Sequence, residues 1–404
     1  MVTFRKFTAF IVLSLCVLFV NAQNVVLITS GSGKNKEEAT NTALRSAIEQ
    51  TFGTFVSSNT EILNDSIIQD EILTISSGNI ETYKYISESI TKNERYFVTL
   101  EVHIAVGKLI EYTKSKGART ELAGSSFAQN IKLDKLYTKN EMKVLENLRS
   151  EIRAILPYAF DYEIQVGSPT EFIKNGIEEY RCKAKIIIKK NENVNKINQI
   201  FHSTLNAISL SSMDADNYDK MKGHYPIKID IGHIGTDMSS DYLSEYGASY
   251  SYYLRNGKNT LTSYFMNLEE DIIQSALSFK LKDDITEYVI FDGGADKDYD
   301  YQLYISGLGQ LRYHYSPTIK NRFVNSADWR LESYYLLAIR EDGLRCNTYS
   351  YEYSVLNPDV TTFCTVNLTL KYSLEELEKV TNIIVAYSGG YPFSISGDIR
   401  SVPS

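Results

Sequence analysis

Little in this chain suits a metal centre, a disulfide framework or a membrane span. Of 404 residues, five are histidine, four cysteine, seven proline and one tryptophan. His103, His202, His224, His233 and His314 include no pair at helical metal-binding spacing. His224 and His233 flank one strand, too far apart to chelate a common ion unless the chain folds back. Positive charge is also in deficit, 42 basic against 50 acidic residues, for a net charge of -8. That balance disfavours nucleic acid and anionic membranes as partners, and no basic stripe stands against it. Beyond the N-terminus no segment approaches the roughly 20 apolar residues of a spanning helix. No glycine-flanked nucleophile elbow occurs, since Gly247-Ala248-Ser249-Tyr250-Ser251 lacks the closing glycine. Internal repeats and low-complexity tracts are absent as well. No catalytic set and no cofactor-binding set is assigned.

The chain does have a secretory signal pattern at residues 1-22. Arg5 and Lys6 supply the charged region, Phe10 to Val20 the apolar core, and Val20-Asn21-Ala22 a cleavage site after Ala22. Its removal deletes two positive charges and no acid, taking the net charge to about -10. Cys16 invites a second reading as a lipidated cysteine. Leu15 before it and the apolar run Val17 to Val20 after it fit the cleaved signal better. Cys182 falls on the inward register of a strand with Tyr180, Ala184, Ile186 and Ile188, the pattern of a buried thiol. Cys346 and Cys364 could pair in an oxidising compartment. A hairpin turn at Asn357-Pro358 would instead set Cys364 opposite Tyr351.

Apolar content of 43% and this length predict an α+β multidomain protein. Residues 23-115 form the first domain, a two-layer unit with an antiparallel sheet. Its strand at Val25–Ile28 leads to a helix from Asn35 to Phe52, closed by Gly53, with Ala39, Ala43, Leu44, Ala47, Ile48 and Phe52 on one face. A short helix carries Ile67, Ile68, Ile72 and Ile75. Strands at Ile80–Ile90 and Tyr96–Val106 turn at Lys92-Asn93-Glu94. Residues 116-137 read as a linker. Residues 138-216 read as a small α/β sandwich in the order helix-strand-strand-helix. Thr138 and Glu141 form a capping box for its first helix, Pro157 ends that helix, and Asn193 caps its second. Residues 217-404 are Tyr-rich and mainly β, with strands expected at Tyr225–Ile231, Ala248–Leu254, Glu287–Phe291, Tyr301–Ile305 and Arg330–Ile339. A helix at Leu268–Leu281 interrupts them.

Three constellations invite a chemical reading. Gly31-Ser32-Gly33-Lys34 lies between an apolar strand and a helix, where backbone amides can cup an anion. The full phosphate-loop motif needs glycine and a hydroxyl where Ile28 and Asn35 stand. Asp296, Asp298 and Asp300 alternate as a calcium loop begins, but Tyr301 stands at the turning glycine and Gly307 at the bidentate acid. They support weak calcium binding at most, and a solvated acidic loop explains them as well. Twenty of the 30 tyrosines lie from Tyr242 onward, which fits half-buried strands or a ring surface for sugars or proteins.

Residues 24-106 resemble the N-terminal domain of the flagellar assembly protein T family and related small outer-membrane lipoproteins. Gly31-Ser32-Gly33, Glu38-Ala39, the segment Ala43 to Gln50, Gly53, Val56, Ser58, Asn64 to Asp70, Ser77-Gly78 and Tyr96-Val98-Leu100-Val102 carry it. The resemblance implies an exported Gram-negative envelope protein that works through assembly or surface contacts, with no catalytic residues to carry over. Nothing after residue 115 resembles a flagellar component. The leading expectation is a non-enzymatic interaction or assembly scaffold in the periplasm or at the outer membrane, meeting envelope proteins or glycans. A glycan-binding module, with calcium as an aid, is the alternative, and a cryptic hydrolase the third.

Overall fold

The structure is a computed structural model of the chain. It describes residues 24–55, 78–91, 94–115, 126–222, 226–233, 250–277, 279–285, 287–289, 314–315, 327–331, 335–340, 349–352, 362–387 and 395–398. Two compact units result, Met1–Val144 and Leu145–Ser404. Both are mixed α/β, and every described strand pair is antiparallel.

In the first unit, strand β1 (Asn24–Gly33) and helix α1 (Lys36–Phe55) precede β2 (Ile80–Ile90), β3 (Tyr96–Ala105) and α2 (Val106–Ser115). The sheet order is β1-β3-β2. Val98, Leu100, Val102 and Ile104 on β3 join Val25 and Leu27 on β1 against Ala39, Ala43 and Ala47 of α1. Alanines on the helix keep the two layers close. Gly53 does not end α1, which runs through it to Phe55. The β2–β3 turn lies where expected, with Glu94 at φ 57° and its N–H donating to Thr91 O at 2.9 Å. The helix expected around Ile67 to Ile75 lies outside the described residues.

The linker expected at 116-137 needs correction. Helix α3 spans Ser126–Ile155, so Thr138 and Glu141 sit inside it rather than at its start. Leu136 is buried in the first unit's core, with Leu133 and Tyr137 packed against it. Their 3- and 4-residue spacing extends the apolar stripe past the supposed cap, and burial outweighs the local capping signal. Asn140 Nδ2 donates to Ile28 O at 2.8 Å, satisfying a carbonyl on the outer edge of β1.

The second unit continues from α3 through a 3-10 turn at Leu156–Tyr158, with Pro157 at its start. Then come β4 (Phe160–Val166), β5 (Thr170–Lys174), β6 (Ile177–Lys190), α4 (Glu192–Ile208) and α5 (Ser212–Lys222). Next are β7 (Ile227–His233), β8 (Tyr250–Leu254), α6 (Lys258–Leu277), β9 (Phe279–Asp283) and β10 (Glu287–Val289). β11 (His314–Tyr315), β12 (Ala327–Leu331), β13 (Tyr335–Arg340), β14 (Tyr349–Glu352) and β15 (Thr362–Tyr372) follow. The last are α7 (Leu374–Lys379), β16 (Asn382–Tyr387) and β17 (Ile395–Asp398). The sheets run β11-β12-β15-β6-β4 with β5 on β6, β10-β9-β16-β17, and β14-β13-β7-β8.

Several expectations about this half change. Residues 138-216 do not close on themselves, because β6 pairs along ten positions with β15 far downstream. Arg330–Ile339 is two strands in different sheets, β12 on β15 and β13 on β7. The helix expected at Leu268–Leu281 ends at Leu277, and Phe279–Asp283 pairs with β16 instead. No hairpin joins Tyr351 to Cys364: Tyr351 pairs with Leu337, and Cys364 with Ile188 and Leu331. Asn191, not Asn193, caps α4, its side chain accepting from Asn193 N at 3.0 Å. Asn193 Nδ2 donates back to Tyr158 O at 2.7 Å, which leaves the cap to its neighbour. The apolar faces hold: Leu145, Leu148, Ile152 and Ile155 on α3 and Val194, Ile197, Phe201 and Leu205 on α4 are buried. Cys182 is a buried free thiol, and desolvation pushes it up to about 11.

Candidate functional site

The glycine corner folds as strand before it turns. Gly31 pairs with Val98 and Gly33 with Tyr96, so both glycines belong to β1. A Cβ at Gly31 would stand 2.2 Å from Ala39 O and 2.4 Å from Ala43 N; one at Gly33 would stand 2.6 Å from Ala39 N. The glycines therefore let α1 lie directly on the strand. The helix start is filled from within. Asn35 Oδ1 accepts from Glu38 N at 2.9 Å, and Glu38 Oε2 accepts from Lys34 N at 2.9 Å. An incoming phosphate would meet the chain's own carboxylate where a phosphate loop offers amides. The corner is a packing and capping device.

A second cluster lies where α4 meets β8. The Tyr252 hydroxyl is 2.8 Å from His202 Nδ1, and the Tyr250 ring stacks on the imidazole at a centroid distance of 4.0 Å. Burial pushes His202 down to about 4, so the ring is neutral near pH 7 and shares one hydrogen bond with the Tyr252 hydroxyl. Tyr250, 45% exposed, brings the stack to the surface. The β8 edge beside it is closed by Leu210 N donating to Tyr253 O and by Tyr253 N donating to Ser209 Oγ.

The β5–β6 hairpin presents a third feature. Its turn is Asn175-Gly176, both at positive φ (56° and 75°), the conformation that a two-residue hairpin with native twist requires. Beside the turn, Ile173 is 65% and Ile177 67% exposed, and Phe172 is 37% exposed. Phe172 lies under the Arg181 guanidinium at 3.3 Å, and Arg181 is in turn held by Glu179. The strand β5 pairs with β6 and with no other described strand. The Asn-Gly pair between strand-like runs was a sequence signal for this hairpin, and the sequence reading passed over it.

The remaining sequence candidates scatter. Asp296, Asp298 and Asp300 lie outside the described residues, as do His224 and Cys346. His103 Nε2 lies 2.9 Å from Glu101 Oε1 on the same strand, a lone pair far from His202 in the chain. Among the described residues no group of three His, Cys, Asp or Glu side chains could hold a metal ion. No described helix is long and apolar enough to cross a membrane. Basic residues do gather on one face of β6, contrary to the composition-level expectation: Arg181, Lys183, Lys185 and Lys189 share it with Glu179 and Ile187. Comparison with protein-family models, curated proteins and solved structures finds no match. The fold class defined here is mixed α/β with antiparallel sheets.

Proposed function

We propose that this chain is an exported cell-envelope protein acting as a non-enzymatic interaction or assembly scaffold. Its signal pattern at residues 1-22 supports export to the periplasm or outer membrane, and the family resemblance of residues 24-106 supports an assembly role. In this reading everything after residue 115, the Tyr-rich, β-rich region after residue 216 included, is the part that differs from that family. The observation that carries the proposal is the β5–β6 hairpin. A tight turn holds Ile173 and Ile177 in solvent at 65% and 67% exposure, on and beside a strand that pairs with no described strand but β6. Soluble proteins avoid such edges unless a partner covers them. Crosslinking in the envelope fraction, comparing the wild type with Ile173→Glu/Ile177→Glu, tests it. Partners held by the wild type and lost in the variant are expected; identical adducts from both would count against the hairpin.

A glycan-binding role is the second reading, and the surface stack of Tyr250 on His202 favours it. Tyr250→Ala would then abolish retention on a glycan array without lowering the melting temperature.

A further inference from the structure

The outward face of β6 is chemically unlike the rest of this acidic chain. Cys182, Ala184, Ile186 and Ile188 are buried on one side of the strand. The alternate positions Arg181, Lys183, Lys185, Ile187 and Lys189 therefore share the other face. Lys371 of β15 stands opposite Arg181 on that face. Some of this charge is already used: Glu179 holds Arg181 and Lys371, and Glu163 holds Lys189. Lys183 and Lys185, both exposed, have no ion pair among the described residues, although Glu163 lies within electrostatic reach of Lys185.

Their cross-strand neighbours are neutral and polar. Lys185 faces Gln165 on β4, and Lys183 faces Thr369 on β15. On the other side of Lys183 the chain offers Gly167, whose N–H donates to Lys183 O at 2.8 Å. A Cβ at Gly167 would meet that oxygen at an ordinary 3.5 Å, so packing does not demand glycine there. Glycine at 167 therefore places no side chain beside Lys183 on that side.

The geometry points to this face as a binding surface for an acidic polysaccharide, its carboxylates meeting Lys183 and Lys185 and its hydroxyls meeting Gln165 and Thr369. The free cations are lysine point charges, since the guanidinium fork that best matches phosphate is committed to Glu179. Arg181 lies over the Phe172 ring, which takes one face of that ring from a stacking base. Both facts favour a polyuronate over a nucleic acid. The inference goes beyond the scaffold reading and uses different residues from the hairpin tip.

Titration calorimetry of the full mature chain with polygalacturonate at low salt tests it, with neutral dextran, poly-dT and phosphatidylglycerol vesicles as comparison ligands. The wild type is expected to bind polygalacturonate with an affinity that falls as salt rises. Lys183→Gln/Lys185→Gln is expected to bind about tenfold more weakly, while Lys84→Gln on the first unit leaves binding unchanged. Gly167→Gln, which keeps every charge and adds a side chain beside Lys183, is expected to weaken binding too. The proposal is overturned by absent polygalacturonate binding, by equal affinity in the wild type and the double variant, or by stronger binding of poly-dT or vesicles through the same lysines. A negative result here leaves the hairpin crosslinking comparison untouched, so the two ideas fail separately.

Discussion

Replacing Gly31 with alanine adds one methyl group and should do more damage than any other single methyl in the first unit. The new Cβ would stand 2.2 Å from Ala39 O and 2.4 Å from Ala43 N, both backbone atoms of α1 that cannot rotate away. Relief requires α1 and β1 to part by roughly 1 Å, which thins the contacts of every side chain between them. Those side chains include Ala39, Ala43, Leu100 and Val98. Overpacking of this kind costs about 3 kcal/mol. The internal control is Gly53→Ala, in the same helix, where an added Cβ meets nothing within 4 Å. It should stabilise by about 0.5–1 kcal/mol through lost backbone entropy of the unfolded chain. Hydrogen exchange read peptide by peptide distinguishes the two. Gly31→Ala should speed exchange in α1 and β3 by about a hundredfold, and Gly53→Ala should slow it. Near-equal exchange in wild type and Gly31→Ala would refute the close-packing account of the corner.

Other consequences are as definite. Asn35→Ala removes the acceptor for Glu38 N and should cost about 1 kcal/mol by denaturant titration, without creating affinity for nucleoside triphosphate. His202 has a folded pKa of about 4 against an ordinary value near 6.5, so the unfolded state binds the proton first. Its contribution to stability is complete above about pH 6.5 and is lost as pH falls toward 4; His202→Gln should flatten the melting profile across that window. The Cys182 thiol, raised to about 11 and buried, should resist maleimide at pH 8 in the native protein and react once it is unfolded. Tyr372→Phe removes the 3.0 Å hydrogen bond to Asp283 Oδ2 and should cost about 1–3 kcal/mol by denaturant titration.

The sequence was most readable where a segment's neighbours in space are also its neighbours in the chain. Ile80–Ile90 and Tyr96–Ala105 are joined by a short turn, and the apolar alternation Val98, Leu100, Val102 and Ile104 marks the buried side of the second strand. The first shows no such alternation, and Thr99 is buried as well. The α4 face from Val194 to Ile208 was equally plain. Pairing between β6 and β15 was not, because alternation marks a strand without naming its partner across an intervening stretch of about 170 residues. Local signals also yielded to packing. Thr138 and Glu141 satisfy a capping pattern, yet Leu136 finds a core to enter and draws the helix back to Ser126. Gly53 had the composition of a helix stop but sits exposed inside α1.

For the candidate sites the signals were present but half used. The register that buried Cys182 placed Lys183 and Lys185 on the opposite face, so the basic stripe was implicit in the same strand. Net charge averaged over the chain concealed it. In the corner, two glycines facing two alanines marked a close strand–helix contact, whereas the resemblance to a phosphate loop drew attention to the amides. Which amides were already taken by Glu38 was a three-dimensional fact.

The central claim is that this chain works through surface contacts in the envelope, with the β5–β6 hairpin as a contact element. In-cell photocrosslinking from position 173, resolved by cell fraction, tests it most directly. The account predicts discrete adducts in the envelope fraction that disappear when Ile177 is changed to Glu. Adducts confined to the cytosol, or no specific adduct from a folded, exported chain, would contradict it.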